Sequence, residues 1–259
     1  MTPALTISMP VGPHDGDRRH LLRAVDGVLE QSFRDIRLIV INDGGAPLTE
    51  IDGRDDPRIV RFDLPVNRGR YYADAVTLAS CSSPWWGPHD SDDWSGPERY
   101  RLLMGASKDA DAVWSDRWIV GAGGGSRKRA QPKPGEMSGS HAHHAGVYRV
   151  EALRHGPHPE FRCSWDSVFV SLVLLYLRWR VVVDQRALYH HMRRADSVTA
   201  SPGSREGSTL REGAREKYRL LWARCKVTRP DEWATILAPR HDLERSLQAD
   251  VARLRGNLL

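Results

Sequence analysis

Along the first half of the chain, short runs of apolar residues alternate with longer stretches in which apolar residues return every three or four positions. LTISM, residues 5–9, reads as a strand, and RRHLLRAVDGVLEQSF carries Leu22, Val25 and Leu29 at helical spacing. IRLIVI is a β-branched run of strand length, closed by the turn signal NDGG. PRIVRFDL predicts a third strand and NRGRYYADAVTLAS a second helix. SPWWGPH then gives a short strand, PERYRLLMGA a third helix, and DAVWSDRWIV strands again. Strand, helix, strand in this order builds βαβ units, so the fold class is α/β with a mainly parallel sheet flanked by helices. Ligands of such sheets sit beyond the carboxyl ends of the strands. Asp43 and the acid run Asp90, Asp92, Asp93 all fall at such ends.

The second half is less regular. Residues 121–140, GAGGGSRKRAQPKPGEMSGS, are basic and rich in Gly and Pro, which predicts a flexible loop. It reads either as an exposed excursion or as a lid whose Arg127, Lys128 and Arg129 meet phosphates. AGVYRVEAL and SWDSVFVSLVLLYLRWRVVVD add strand, helix, helix and strand. Beyond Ser201 the pattern is helical, with Leu237, Leu243, Leu247, Val251 and Leu254 near heptad spacing. This tail is expected to pack on the domain or to form a homodimer contact. The organisation expected is residues 1–105 and 106–200 as two halves of one domain, with 201–259 as a helical C-terminal extension.

Composition narrows the class. An apolar fraction of 40% and a charged fraction of 27% are those of a soluble globular chain. Cys81, Cys163 and Cys225 form no CxxC pair, which argues against a disulfide framework or zinc knuckle and suits a reducing cytoplasm. The N-terminus lacks a signal-peptide pattern, and the apolar run from Val168 to Leu177 is too short to span a bilayer. The net charge of +5 is too diffuse to indicate nucleic acid by itself and favours anionic small molecules or a weak surface attraction.

The run HDSDD crowds three acids into four residues after a Trp pair. Part of this charge suits a helix N-terminus, because Ser95-Gly96-Pro97-Glu98 has the form of a capping box. Capping needs one acid, however. An Asp-x-Asp at the end of a buried strand places alternate carboxylates on one side, where they can converge on a hard cation.

Four blocks in order, LTISMP, LLRAVDGVLEQSFRDIRLIVINDGG, NRGRYYADAVTLA and HDSDDWSGPERYRLL, together resemble the nucleotide-binding half of family 2 glycosyltransferases. The resemblance is strongest over Leu5–Met104 and continues more loosely through GVYRVEAL, CSWDSVF and LYHHMRRADSVT. It implies the GT-A (Rossmann-like) fold and inverting, Mn²⁺- or Mg²⁺-dependent transfer of a sugar from a nucleotide-diphosphate sugar, UDP-linked by default. Residues 1–105 would be the nucleotide-sugar-binding half and 106–200 the acceptor-binding half. Pro10, Asp43, Asn67, Gly69, Asp90 and Ser91 would bind the nucleotide-sugar. Asp43 would contact base or ribose, and Asp90 would bind ribose or stand behind the metal's ligands. Asp92 would ligate the metal bridging the diphosphate, with Asp93 as a second ligand or a cap. Asp166 matches the general base that deprotonates the acceptor hydroxyl, although its place before an apolar helix also suits an N-cap.

The chain departs from the family pattern in places. Pro10-Val11-Gly12 lacks the usual Asn after an aromatic, and Ala73-Asp74-Ala75 stands where Ala-Arg-Asn is familiar, so one habitual basic contact is missing. Arg194 falls where a late His is often found, while His190 and His191 lie slightly upstream and read as a metal ligand, a phosphate contact or a structural pair beside Tyr189; His191 is the metal-ligand candidate. His141, His143 and His144 form a second cluster that reads as a metal site, a hydrogen-bonding group near the diphosphate, or plain surface. The expected acceptor is a soluble small molecule of natural-product type, or else a glycan end. The competing functions are a GT-A-like nucleotidyltransferase and a non-catalytic nucleotide-sugar-binding protein.

Overall fold

The computed structural model describes residues 2–13, 18–131, 143–153, 159–161, 179–194, 208–228, 232, 239 and 241–258. Three strands are in parallel register at one end of the sheet: β1 (Leu5–Val11), β2 (Ile36–Asp43) and β3 (Ile59–Leu64). On its other side β1 pairs in parallel with β4 (Trp85–Pro88), so the strand order turns back at β1. That reversal opens the crevice in which α/β sheets bind ligands.

Every residue of β1 is buried, and β2 is nearly so. A strand covered on both faces must be apolar throughout, which explains the unbroken run IRLIVI. The two faces carry different layers. Leu5, Ile7, Met9 and Val11 pack with Leu38 and Val40 against Leu21, Ala24, Val25 and Val28 of α1 (Arg18–Leu29). Ile39 and Ile41 face Tyr72, Ala73 and Val76 of α3 (Arg70–Ser80). A short α2 (Thr49–Asp52) lies between β2 and β3. Each fully buried aliphatic side chain of this kind contributes about 1.5–3 kcal/mol.

Gln31 joins α1 to the start of α4 (Arg99–Gly105). Its Nε2 donates to the Gly27 and Gly96 carbonyls, both at 2.7 Å, and its Oε1 accepts the Tyr100 amide at 3.0 Å. The expected capping box does not form, because Ser95 belongs to a two-residue strand, β5 (Trp94–Ser95), and the N-cap Glu98 makes no side-chain cap bond.

Beyond β4 the sheet continues through β8 (Gly146–Arg149), β6 (Ala112–Gly121), β9 (Val181–Arg193) and β5. β6 and β9 are parallel, whereas β8 and β5 run antiparallel to their neighbours. The Gly-rich segment expected as a loop contains a strand, β7 (Ser126–Arg129), which folds back antiparallel on β6 through a turn with Gly124 at φ 83°. All three basic residues lie on this strand, and Lys128 reaches Asp116 at 3.1 Å and the Gln185 carbonyl at 2.5 Å. A short charged strand of this kind is a usual way to close a sheet edge. Residues 132–140 lie outside the described ones.

Among the described residues that follow are two helices, α5 (Thr209–Val227) and α6 (His241–Leu258). The apolar stripe of α6, Leu243, Leu247, Val251 and Leu254, packs on α3 and β3. Tyr72 donates to Asp250 at 2.8 Å, Arg253 to the Asp63 carbonyl at 2.9 Å and Arg255 to the Ala79 carbonyl at 2.6 Å. Of the two fates expected for the tail, α6 therefore takes the first, packing within its own chain. Leu237 is outside the described residues. No helix among the described residues is long and apolar enough to cross a membrane.

Candidate active site

The carboxyl ends of β1, β2 and β4 meet at one side of the sheet. Asp43, at the end of β2, is buried and accepts the backbone amides of Arg68 at 2.6 Å and Gly69 at 2.8 Å. The loop bearing Asn67 and Gly69 is thereby tied to the strand end just before α3 begins. Gly69 has φ 92° and Gly44 φ 69°, a region that costs an L-residue. A Cβ on Gly44 would come within 2.2 Å of the Asn67 nitrogen, so the two loops touch backbone to backbone. Asn42 closes the same corner by donating to Asp63 at 2.8 Å.

The acid run follows β4. Asp90, Asp92 and Asp93 each have different partners, those of Asp90 from α3 and the segment around His144, and those of Asp92 and Asp93 from β9 and the residue that follows it. Asp90 is hydrogen-bonded to Arg70 of α3 and lies 3.6 Å from Nδ1 of His144. Asp92 pairs with Nε of Arg194 at 3.0 Å. Asp93 is fully buried, with Oδ2 3.1 Å from Nδ1 of His191 and Oδ1 accepting the Met192 amide at 2.7 Å. Burial alone would raise the Asp93 carboxyl. His191, the Met192 amide and the Tyr189 hydroxyl together hold it below the ordinary carboxylate value.

Strand alternation separates the two histidines that the sequence leaves side by side. His191 faces the acids and stacks on His144, with ring centroids 5.0 Å apart. His190 faces the other way and stacks on Trp94 at 4.8 Å, whose ring Arg23 also covers at 3.8 Å.

A buried layer supports the acids. His89 is fully buried and its Nδ1 contacts the Asp90 carbonyl at 2.8 Å, which requires the proton on Nδ1. Its Nε2 then accepts from Ser95, 3.1 Å away, whose oxygen accepts Arg99 at 2.8 Å. Burial, reinforced by the Arg99 charge, lowers the His89 pKa to about 3, so the ring is neutral. Tyr189 receives the Asp90 amide at 3.1 Å, and burial pushes its hydroxyl well above the ordinary value. On the β1 side, Asp74 is fully buried and accepts Ser8 at 2.7 Å. Burial raises its carboxyl against the pull of Arg70 and Ser8.

Asp90, Asp93, His144 and His191 each offer one ligating atom, and these four atoms lie within 4.8 Å of one another. Two carboxylates and two imidazoles fit a divalent first-row cation such as Mn²⁺; the imidazoles suit Mg²⁺ less well, since that ion prefers oxygen donors. The metal candidates Asp93 and His191 thus come together with Asp90. Asp92 is turned to Arg194. His144 joins from the histidine cluster, while His141 and the general-base candidate Asp166 lie outside the described residues. Pro10, at the end of β1, is buried, and Ser91 sits buried inside the acid run. Sequence reasoning missed Arg70, Tyr189, Arg99 and His89: α3, β9 and α4 bring the first three to the acids, and His89, next to Asp90, carries no local sign that its ring is buried. Asp74, noted as a lost basic residue, proved to hold an arginine one turn earlier.

A family model described as "Glycosyl transferase family 2" matches residues 18–163. No curated protein matches the chain by sequence. Among solved structures, residues 1–349 of TarS from S. aureus in complex with UDP align with TM-score 0.58 at 14% identity, covering 99% of this chain and 90% of that one. The same protein in complex with UDP-GlcNAc aligns with TM-score 0.61 at 15% identity, over 99% of this chain and 72% of that one. The mannosyltransferase PcManGT from Pyrobaculum calidifontis, in complex with GDP-Man and Mn²⁺, aligns with TM-score 0.58 at 12% identity, over 100% and 74%. At such identities the likeness is one of fold, and that fold is GT-A.

Proposed function

Because the chain belongs to glycosyl transferase family 2, it is a glycosyltransferase, and we propose that it moves a sugar from a nucleotide-diphosphate sugar to an acceptor hydroxyl with inversion. The observation that carries the donor half of this reading is the group Asp90, Asp93, His144 and His191 at the carboxyl end of β4, beside the loop that Asp43 secures.

In this reading the nucleoside lies across the ends of β1 and β2, against Pro10, Asp43, Asn67 and Gly69. Asp90 and Ser91 face the ribose and diphosphate. Asp90, Asp93, His144 and His191 hold the divalent cation, with Asp92 close by on Arg194. A bound cation would supply charge neutralisation for the departing diphosphate. Asp166 accepts the proton of the acceptor hydroxyl, whose oxygen then attacks the anomeric carbon from the face opposite the leaving group. A UDP-sugar is the favoured donor, in keeping with the UDP and UDP-GlcNAc complexes of the TarS neighbour, and a GDP-sugar is the rival after the mannosyltransferase. The acceptor is proposed to be a small hydroxylated molecule in the cytoplasm. A homodimer through the C-terminal helices would use α5, where Leu220 and Val227 are exposed, since α6 buries its stripe within the chain.

Calorimetric titration of UDP, GDP, dTDP and CDP, each with and without Mn²⁺, tests the donor site. One nucleotide is expected to bind in a Mn²⁺-dependent way, and Asp93→Ala to abolish that dependence. Asp166→Asn should bind the nucleotide normally yet lose turnover. If no nucleotide binds with Mn²⁺ present, the donor-site reading falls.

A further inference from the structure

Arg70 stands outside the four-residue group and yet reaches it. It opens α3, and its guanidinium spans two carboxylates: Nε lies 3.4 Å from Asp74 and Nη1 is hydrogen-bonded to Asp90. Its Nη2 is enclosed and has no hydrogen-bond acceptor among the described residues. An enclosed guanidinium nitrogen with nothing to donate to is costly, and its natural complement is an anionic oxygen.

The anchor on the other side is rigid. Asp74 is fully buried, one helical turn after Arg70, and is held by the Ser8 hydroxyl, whose oxygen lies 3.2 Å from that of Thr77. Arg70 itself remains partly exposed, with 27% of its side chain open to solvent. One end of the guanidinium is thus fixed to the core while the other rests on a carboxylate that a cation would also need. A divalent cation and a guanidinium on the same carboxylate repel each other across a few ångströms.

We propose that Arg70 is a counter-ion that exchanges places with the cation. It neutralises Asp90 in the ligand-free protein, and it turns to the donor's diphosphate once nucleotide and cation are bound. Its planar fork matches phosphate oxygens, and Asp74 is the positioning residue that keeps it within reach. The inference rests on the donor-site reading above. It requires that loss of Arg70 act in opposite directions on the two ligands: the bare cation binds more tightly, and the nucleotide less tightly.

The test counts free Mn²⁺ by electron paramagnetic resonance, with and without UDP or GDP, on the full chain and its Arg70→Gln, Arg70→Lys and Asp90→Asn variants. Thermal unfolding checks that each variant is folded. Arg70→Gln should raise the affinity for Mn²⁺ alone severalfold and lower nucleotide affinity at saturating Mn²⁺ by about tenfold or more. Arg70→Lys keeps the charge but loses the fork. It should hold Mn²⁺ affinity near the parent value while nucleotide binding weakens. If Arg70→Gln weakens both ligands, or changes neither, the exchange is refuted. Mn²⁺ binding that Asp90→Asn abolishes and Arg70→Gln leaves untouched refutes this inference alone. If the parent protein binds neither Mn²⁺ nor nucleotide, the donor-site reading falls and takes the inference with it.

Discussion

Nδ1 of His191 stands 3.1 Å from Oδ2 of Asp93, across 98 residues of chain. Strand register produces this meeting. β5 pairs antiparallel with β9, with Trp94 opposite His190 and Ser95 opposite Tyr189. The same register, carried one residue further, sets Asp93 against His191 and lets the Met192 amide reach the other carboxylate oxygen. A two-residue strand thus aligns the last acid of the run with an imidazole from the far side of the sheet.

Asp93 and Asp92 are neighbours with different roles, and substitution should separate them. Asp93→Ala removes a fully buried carboxylate and leaves the half-buried donors of His191 and Met192 without their acceptor, and is expected to cost about 3 kcal/mol in urea unfolding. Asp92→Asn removes a partly exposed ion pair with Arg194, and should cost no more than about 1 kcal/mol. Equal losses would contradict the difference in burial.

Stability should fall with pH below neutrality because of His89. Its folded pKa, about 3, lies under the ordinary 6.5, so below pH 6.5 the unfolded chain takes up a proton that the folded chain does not. The unfolding free energy therefore falls as pH falls, by about 1.4 kcal/mol per pH unit at the steepest. Asp93 adds a loss of the same sign only further down, as pH passes below the ordinary carboxylate value of 3.8 and through its own lowered one. His190, also lowered by burial, adds to this slope and Asp74, raised by burial, opposes it, so the share of His89 is read from urea midpoints between pH 6.5 and 4.5 on His89→Gln, which should flatten the slope.

Gly44→Ala should damage both fold and donor site. The residue has φ 69° and its Cβ would meet the backbone nitrogen of Asn67, so strain and collision add. A loss of about 2 kcal/mol or more is expected. The loop secured by Asp43 should shift with it, so nucleotide affinity should drop at temperatures where the variant is still folded. Calorimetry on the folded fraction tells the two effects apart.

The attachment of α6 can be measured at two points. Tyr72→Phe removes the hydrogen bond to Asp250 and should cost about 1.5–3 kcal/mol. Leu254→Ala, at a fully buried position, should cost about 2–5 kcal/mol. Unfolding of Leu254→Ala with no loss would mean that α6 does not stabilise the sheet.

The elements easiest to read were those whose pattern is local. β1, β2 and α1 announce themselves through apolar periodicity, and all lie where the chain suggests. β7 was hidden because SRKR has no apolar face; it is a strand only because the edge of β6 accepts it. The capping box at Ser95 failed for the opposite reason. Its local pattern was right, but pairing with β9 and the demands of His89 and Arg99 took the serine for another purpose.

By itself the sequence determined the order of strands and helices and the placing of Asp43 and the acid run at strand ends, because both follow from which residues can be buried and where the chain must turn. Only the tertiary structure decided the partners of those acids. Asp90 meets Arg70 and His144, Asp92 meets Arg194, and Asp93 meets His191 rather than His190. Each pairing depends on the register of a distant strand or the phase of a helix, and shifting a strand by one residue turns every side chain to its opposite face. No spacing along the chain carries that information, since it arises when β5, β9 and α3 pack together.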